Sequence, residues 1–359
     1  MMENTDNLRI KNIEAVANPV DLLNDLPVTE TAAATVAIAR NDTHKILHGE
    51  DDRLLVVVGP CSIHDTDAAL EYAHWLLKLR YEFADTLHIV MRVYFEKPRT
   101  RIGWKGLIND PDLTDTFDIN KGLRVARKLL LDISDLGMPA ATEYLDLITP
   151  QYVSDLVSWA AIGARTTESQ GHRELSSGVS CPIGFKNGTY GNMNIAIDAI
   201  AAANREHRFL SVTQEGHSAI FTTTGNEDCH IILRGGREPN YDQQSVERAV
   251  EELRKAKLSP CLMVDMSHAN SCKNYKNQAK VAASIVEQVE NGSYAICGVM
   301  IESHLQEGRQ DAKGRPLADL VYGQSITDAC IGLDATAQIL QQLAEAVKKR
   351  REVNKNANN

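Results

Sequence analysis

Eight short apolar runs recur through this chain, and each ends on or near a residue that can bind a metal or an anion. Residues 54–58 run into Cys61, and 89–93 carry Arg92. The run 139–142 ends at Glu143, 160–164 at Arg165 and 181–185 at Lys186. Residues 231–233 end at Arg234, 262–264 run into His268, and 297–301 end at Glu302. Amphipathic stretches follow nearly every run: 68–81, 122–136, 150–159, 169–177, 194–204, 243–256 and 275–290, with a last helix over 335–350. Their apolar positions fall near helical spacing, as in Leu70, Ala73, Leu76 and Leu77. Eight strands alternating with eight helices predict an α/β chain, a (β/α)8 TIM barrel. A doubly wound sheet is the alternative, although no G-x-G-x-x-G follows the first run. In a closed parallel barrel all strand ends meet at one face. The pattern then gathers a thiolate, an imidazole, two carboxylates and four cations into one site.

Two segments break the alternation. Phe209 to Thr224 holds two β-rich runs around Glu215-Gly216-His217 and reads as an inserted β-hairpin, about 209–224. Residues 303–333 form a long connection, and a loop of that length in a compact domain usually has a function. Residues 1–50 read as an N-terminal extension with one helical stretch over 31–48. The barrel occupies 51–351, and the polar tail 352–359 is expected to be disordered.

The formal net charge of −10 argues against nucleic acid or an anionic membrane as the main partner. The basic cluster 348–351 reads as a solvated helix end, with cations favoured by the dipole. Seven cysteines, an odd number without repeated spacing, point to a reduced, cytoplasmic chain rather than a disulfide scaffold. The polar start lacks an apolar signal-type stretch, and the apolar runs are too short to span a membrane.

Cys61, His268, Glu302 and Asp328 are the metal candidates. One soft thiolate, one imidazole and two carboxylates suit a single borderline divalent ion, Mn, Fe, Co or Zn, and not an all-oxygen Mg or Ca site. No pair has zinc-finger spacing, so this inference depends on all four reaching one face. His64 and His304 are neighbours that could compete. Arg92, Lys97, Arg99, Arg165, Lys186 and Arg234 lie at or beyond strand ends, where so many cations repel one another unless anions bind. Phosphate and carboxylate groups are the natural anions. Gly163, Gly235 and Gly236 would let backbone N–H groups approach a phosphate. The residues alone thus describe a barrel enzyme with one metal and phosphorylated, carboxylated substrates.

Long motifs carry a further reading. They are Gly59-Pro60-Cys61-Ser62-Ile63-His64-Asp65, Arg92-Val93-Tyr94-Phe95-Glu96-Lys97-Pro98-Arg99-Thr100, Gly103-Trp104-Lys105-Gly106, Gly163-Ala164-Arg165-Thr166-Thr167-Glu168-Ser169, Gly184-Phe185-Lys186-Asn187-Gly188-Thr189, Arg234-Gly235-Gly236 and Ser267-His268-Ala269-Asn270. Over roughly residues 8–350 the chain resembles the type I 3-deoxy-D-arabino-heptulosonate 7-phosphate (DAHP) synthases, which open the shikimate pathway. The resemblance implies a dimeric or tetrameric metal enzyme that condenses phosphoenolpyruvate, erythrose 4-phosphate and water to DAHP and phosphate. It implies Cys61, His268, Glu302 and Asp328 as metal ligands. Arg92, Ala164, Arg165, Lys186 and Arg234 would hold phosphoenolpyruvate, and Lys97, Arg99 and Thr100 would contact erythrose 4-phosphate. Glu143 would lie near the reacting carbon, and Lys97 would meet the new alkoxide. Feedback by an aromatic amino acid is implied at Leu147, Pro150, Gln151, Leu175, Ser180, Phe209, Ser211 and Phe221, with Asp6 and Asn7 from a partner subunit. Ser211 favours phenylalanine, whereas the bulk of Phe221 departs from the family pattern, as do Tyr190 and Arg101. The alternatives are an octulosonate-phosphate synthase using arabinose 5-phosphate, against which Lys97 to Thr100 and the hairpin argue, and a non-catalytic binding barrel.

Overall fold

A computed structural model describes residue 3, residues 5–99 and residues 103–357, with side chains to residue 355. Two helices come first, α1 (Pro19–Asp25) and α2 (Glu30–Leu47). Then β1 (Leu54–Gly59), α3 (Thr66–Glu82), β2 (Leu87–Arg92), α4 (Ile119–Asp135), β3 (Ala140–Glu143), α5 (Pro150–Val153), β4 (Trp159–Ile162), α6 (Gln170–Ser176), β5 (Ile183–Lys186) and α7 (Asn194–Ala203) alternate. The antiparallel hairpin β6 (Arg208–Val212) and β7 (Ser218–Thr222) interrupts, as predicted. The alternation resumes with β8 (Cys229–Leu233), α8 (Gln243–Lys255), β9 (Leu262–Asp265), α9 (Gln278–Glu290) and β10 (Ile296–Glu302). A small parallel pair, β11 (Gln306–Arg309) and β12 (Gln324–Ser325), fills the long connection before α10 (Leu333–Ala357).

The eight all-parallel strands close in the order β1-β2-β3-β4-β5-β8-β9-β10, so β5 pairs directly with β8 and the hairpin stands outside the barrel. Every barrel strand is buried along its whole length. This is why these strands read as unbroken apolar runs instead of alternating ones. Alternate residues nonetheless divide between two cores. Leu54, Val56 and Val58 pack outward against the helices, while Leu55, Val57, Val90, Trp159, Ile232, Met263 and Met300 fill the barrel interior. Acidic and hydroxyl caps set several helix starts: Asp65, Asp118, Asp242 and Thr29 each accept a first-turn backbone N–H.

The structure corrects four sequence expectations. The segment 1–50 contains α1 as well as α2. The Val20 N–H donates to the Gln214 carbonyl of the hairpin turn at 2.8 Å, a tertiary contact that no local pattern reports. The C-terminal tail is helical through Ala357, because α10 continues past residue 352. The basic cluster at 348–351 is not simply solvated. Arg350 is buried and donates to the carbonyls of Ser293 and Asp52, while Arg351 pairs with Asp52 and Asp85 at 2.7 Å each. Finally, Cys261 and Cys297 form a disulfide between residues 36 apart in sequence, with Cα atoms 5.6 Å apart. Parallel strand pairing set β9 beside β10 and brought the two cysteines together. Cys61, Cys181, Cys229 and Cys330 are free and buried, and Cys272 is free and exposed. Among the described residues no helix is long and apolar enough to cross a membrane.

Candidate active site and metal centre

Period-two alternation decides which residues enter the barrel mouth. Register pairs Leu55 with His88, Val57 with Val90, Met300 with Asp265, Gly59 with Glu302 and Glu143 with Ala161. On five of the eight strands the interior row therefore ends on a charged residue above an apolar floor: Arg92 on β2, Glu143 on β3, Lys186 on β5, Asp265 on β9 and Glu302 on β10. On β1 Gly59 takes that place without a side chain. A Cβ there would lie 3.0 Å from the Arg92 carbonyl oxygen, at a φ of +152°.

Cys61, Glu302 and Asp328 offer donor atoms that all lie within 4.8 Å of one another. Asp328 comes from the loop after β12. A 2.7 Å hydrogen bond between the hydroxyls of Ser62 and Thr327 ties that loop to the Cys61 segment. His268 approaches from the side, with Nε2 3.8 Å from Glu302 Oε1. Its Nδ1 lies 2.8 Å from Asp265 Oδ2 and 2.7 Å from the Ser267 hydroxyl, which leaves Nε2 to face the cluster. Burial pushes the Cys61 thiol pKa up, Glu302 and Asp328 add to that rise, and Lys97 and Arg92 oppose it. An enclosed thiol and two carboxylates this close repel one another once ionised, and a divalent cation relieves that repulsion. The donor set fits Mn, Fe, Co or Zn.

Lys97 crosses to this cluster, donating from Nζ to the Cys61 carbonyl at 3.0 Å and to its Sγ at 3.3 Å. Burial alone would depress its pKa, but Cys61, Glu302 and Glu143 hold it above the ordinary lysine value. Arg92 donates to Glu302 at 3.3 Å and to the Met300 sulfur at 2.8 Å, with its guanidinium 3.9 Å from the Tyr94 ring centroid. Lys186 lies 3.4 Å from Asp265. Arg165 and Arg234 differ. Among the described residues neither has a carboxylate within ion-pair distance, and burial together with the charge of Arg165 lowers the Arg234 pKa. Two cations so placed suit an anion between them.

A model of the DAHP synthetase I family matches residues 26–341. The chain belongs to that family. It is 63% identical over 347 residues to the Phe-sensitive phospho-2-dehydro-3-deoxyheptonate aldolase of Escherichia coli K12, covering 96% of this chain and 98% of that one. It is 58% identical over 353 residues to the phospho-2-dehydro-3-deoxyheptonate aldolase of Haemophilus influenzae, covering 98% and 97%. The solved structure of the phospho-2-dehydro-3-deoxyheptonate aldolase from Francisella tularensis SCHU S4 superimposes with a TM-score of 0.93 at 50% identity, covering 95% of this chain and 99% of that one.

Within this DAHP synthetase I member, the remaining predicted residues fall as follows. Glu143 is buried against Gly163, where a Cβ would lie 2.5 Å from Glu143 Oε1. Ala164 is half-buried beside the exposed Arg165. Arg99 is exposed and donates to the Trp104 carbonyl at 2.7 Å. Thr100 and Arg101 lie outside the described residues. Gly235 and Gly236 do not offer their N–H groups to a ligand, because these donate to the Asn240 side chain and the Glu238 carbonyl. His64 and His304 do not fall in the group formed by Cys61, Glu302 and Asp328. Both are buried, burial lowers both pKa values, and the His304 Nδ1 accepts the Leu305 N–H. Tyr190 is exposed, its ring centroid 5.7 Å from the Arg237 guanidinium.

The hairpin places Phe209 opposite Phe221, with ring centroids 6.1 Å apart, and Ser211 opposite Ala219 on the same half-buried face. Ser177 and Thr223 share a hydroxyl hydrogen bond of 2.7 Å that ties the end of α6, with Leu175, to this hairpin. Leu147 is exposed and reaches α6 at Gly171; Pro150 and Gln151 begin α5, and Ser180 is exposed. Asp6 and Asn7 lie on the exposed N-terminal arm, where the Asn7 N–H donates to the Asp6 carboxylate.

Two buried acids escaped the sequence reading. Asp265 is fully enclosed, and although burial alone would raise its pKa, His268 and Lys186 hold it well below the ordinary carboxylate value. Its signal was its place three residues before His268 at a strand end. Glu96 is also buried, and burial, with Asp146 nearby, pushes its pKa up to about 8. The folded carboxyl therefore keeps a proton that the unfolded chain releases near pH 4.5. Stability from this group is full below that value and is lost as pH rises towards about 8. Glu96→Gln removes this slope. Across the same window the variant gains on the wild type by on the order of a few kcal/mol. Urea unfolding of both chains at about pH 5 and about pH 8 measures the difference, and an equal gap at both values counts against it.

Proposed function

We propose that this chain is a 3-deoxy-7-phosphoheptulonate synthase, condensing phosphoenolpyruvate with D-erythrose 4-phosphate and water to DAHP and phosphate, the first step of the shikimate pathway. The observation that carries the reading is a thiol, imidazole and two-carboxylate cluster facing, across one barrel mouth, two arginines that have no carboxylate partner among the described residues. Cys61, His268, Glu302 and Asp328 would hold the metal ion. Such an ion supplies Lewis acidity to the aldehyde oxygen of erythrose 4-phosphate. Arg165 and Arg234 grip the anionic groups of phosphoenolpyruvate, and Arg92, Lys186 and Ala164 form the inner wall of that subsite. Arg99 and Thr100 anchor the sugar phosphate. Lys97, held on the metal side by Cys61, delivers a proton to the alkoxide that forms when phosphoenolpyruvate C3 attacks the aldehyde. Glu143 positions the water that adds at C2, after which phosphate leaves with cleavage of its C–O bond. Phosphate release with erythrose 4-phosphate, abolished by a chelator and restored by Mn2+, is the expected result. Release with arabinose 5-phosphate instead, or none with either sugar, overturns the reading.

An aromatic amino acid acts as feedback effector in this proposal, with phenylalanine as the specific ligand. Its site is formed by the Phe209, Ser211 and Phe221 face, Leu175, Ser180 and the 147–151 segment, completed by Asp6 and Asn7 of a second copy in a dimer or tetramer. The exposure of Leu8, Ile10, Ile13 and Val16 on the arm supports packing against another subunit. Ser211→Gly should raise the phenylalanine concentration needed for half-inhibition by about tenfold, the loss of one hydrogen bond. A variant that still responds to phenylalanine alone and at the original concentration removes Ser211 from the site. A cytoplasmic location belongs to the same reading.

A further inference from the structure

At the end of the barrel away from the mouth, α2 and its C-cap present two histidines one turn apart, His44 and His48. His44 Nδ1 lies 2.7 Å and His48 Nε2 2.9 Å from the same oxygen of Asp228, Oδ1. The two rings are 4.2 Å apart between centroids. All three side chains are partly open to solvent, His44 at 35%, His48 at 33% and Asp228 at 20%.

The elements that carry these donors are fixed. Asp228 immediately precedes β8. Its N–H donates to Asn226 Oδ1 at 3.1 Å, and its carbonyl accepts the Ile183 N–H at 3.2 Å. Helix α2 is held by Arg40, which donates to the carbonyls of Val157 and Ser154. Ile46 and Leu47, on the same helix, plug the barrel interior beside Leu55 and Cys297. Two imidazoles and a carboxylate on such supports satisfy the requirement that ligands be held by rigid elements.

We propose that His44, His48 and Asp228 form a second divalent-metal site, independent of the barrel mouth, that clasps α2 to the start of β8. Nitrogen and oxygen donors without a thiolate select Zn2+, Co2+, Ni2+ or Cu2+ over Mg2+ and Ca2+. Two histidines and one carboxylate leave a fourth, open position for water or a ligand from solution. Bond lengths of about 2.0 Å place tetrahedral donors about 3.3 Å apart, so the contacts need to open by roughly half an ångström. Partly exposed side chains permit that movement. No residue of the site at the barrel mouth takes part, so turnover does not depend on it.

The test uses the full chain, stripped with a chelator and titrated with Co2+ by equilibrium dialysis and absorption. The wild type should bind two equivalents. His48→Gln and, separately, His44→Asn should bind one and keep wild-type turnover with the mouth site loaded. The equivalent lost in these variants should show ligand-field bands without a thiolate-to-metal band, which separates it from a site containing Cys61. One equivalent in the wild type, or two in both variants, overturns the proposal and leaves the trio as a hydrogen-bonded clasp.

Discussion

Lys97→Met lowers kcat for DAHP formation by about 10²–10⁴-fold, the range expected when a positioned general acid is removed. Methionine matches the lysine stem in length, so packing against Tyr94 and the Cys61 segment survives. Phosphoenolpyruvate affinity, measured by calorimetry, stays near the wild-type value, because Arg165 and Arg234, the anion grip proposed above, are untouched. Metal content also stays near wild type, since Lys97 donates to Cys61 without being a ligand itself. A lost metal would instead mark Lys97 as a positioning residue for the cluster. Unchanged phosphate release would remove it from the chemistry altogether.

Asp265→Asn acts through two partners at once. The carboxylate pairs with Lys186 at 3.4 Å and with His268 Nδ1 at 2.8 Å, and both Asp265 and Lys186 are buried. Asparagine leaves the ammonium of Lys186 enclosed without its counter-charge, which costs about 3–5 kcal/mol of stability. It also frees the His268 ring to turn, and loss of such a partner typically lowers metal affinity by about 10–100-fold. Chemical unfolding reads the first effect and competition with a chelator of known affinity reads the second. A variant with wild-type stability and wild-type metal affinity would show that Asp265 supports neither partner.

These two residues also show where sequence reasoning stops. Arg92, Lys186 and Glu302 stand out because each lies within or at the end of an apolar run, and a barrel strand exposes its last interior position at the mouth. Asp265 ends the run 262–264 in the same way, but only its enclosure between Lys186 and His268 gives it weight. Glu96 sits within the Arg92 to Thr100 motif, but nothing in the spacing marks it as buried, since its burial comes from the path of the loop after β2. The Cys261–Cys297 bond was missed because disulfide reading depends on spacing along the chain, while β9–β10 pairing makes residues 36 apart neighbours. Helix α1 has seven residues with only Pro19 and Leu22 buried, too short a pattern to stand out in the sequence.

The sequence by itself determined the barrel and the hairpin inserted into it, because unbroken apolar runs alternating with amphipathic helices bury well in very few other ways. It also determined the chemical inventory at the run ends. The tertiary structure decided the pairing of that inventory. Register set Gly59 beside Glu302, a loop hydrogen bond brought Asp328 to Cys61, and Lys97 turned towards the thiol. It also gave Asp228 two histidine partners from a helix about 180 residues away in the chain. Such contacts depend on distances between strands and loops remote in sequence, and chain closure alone sets those distances.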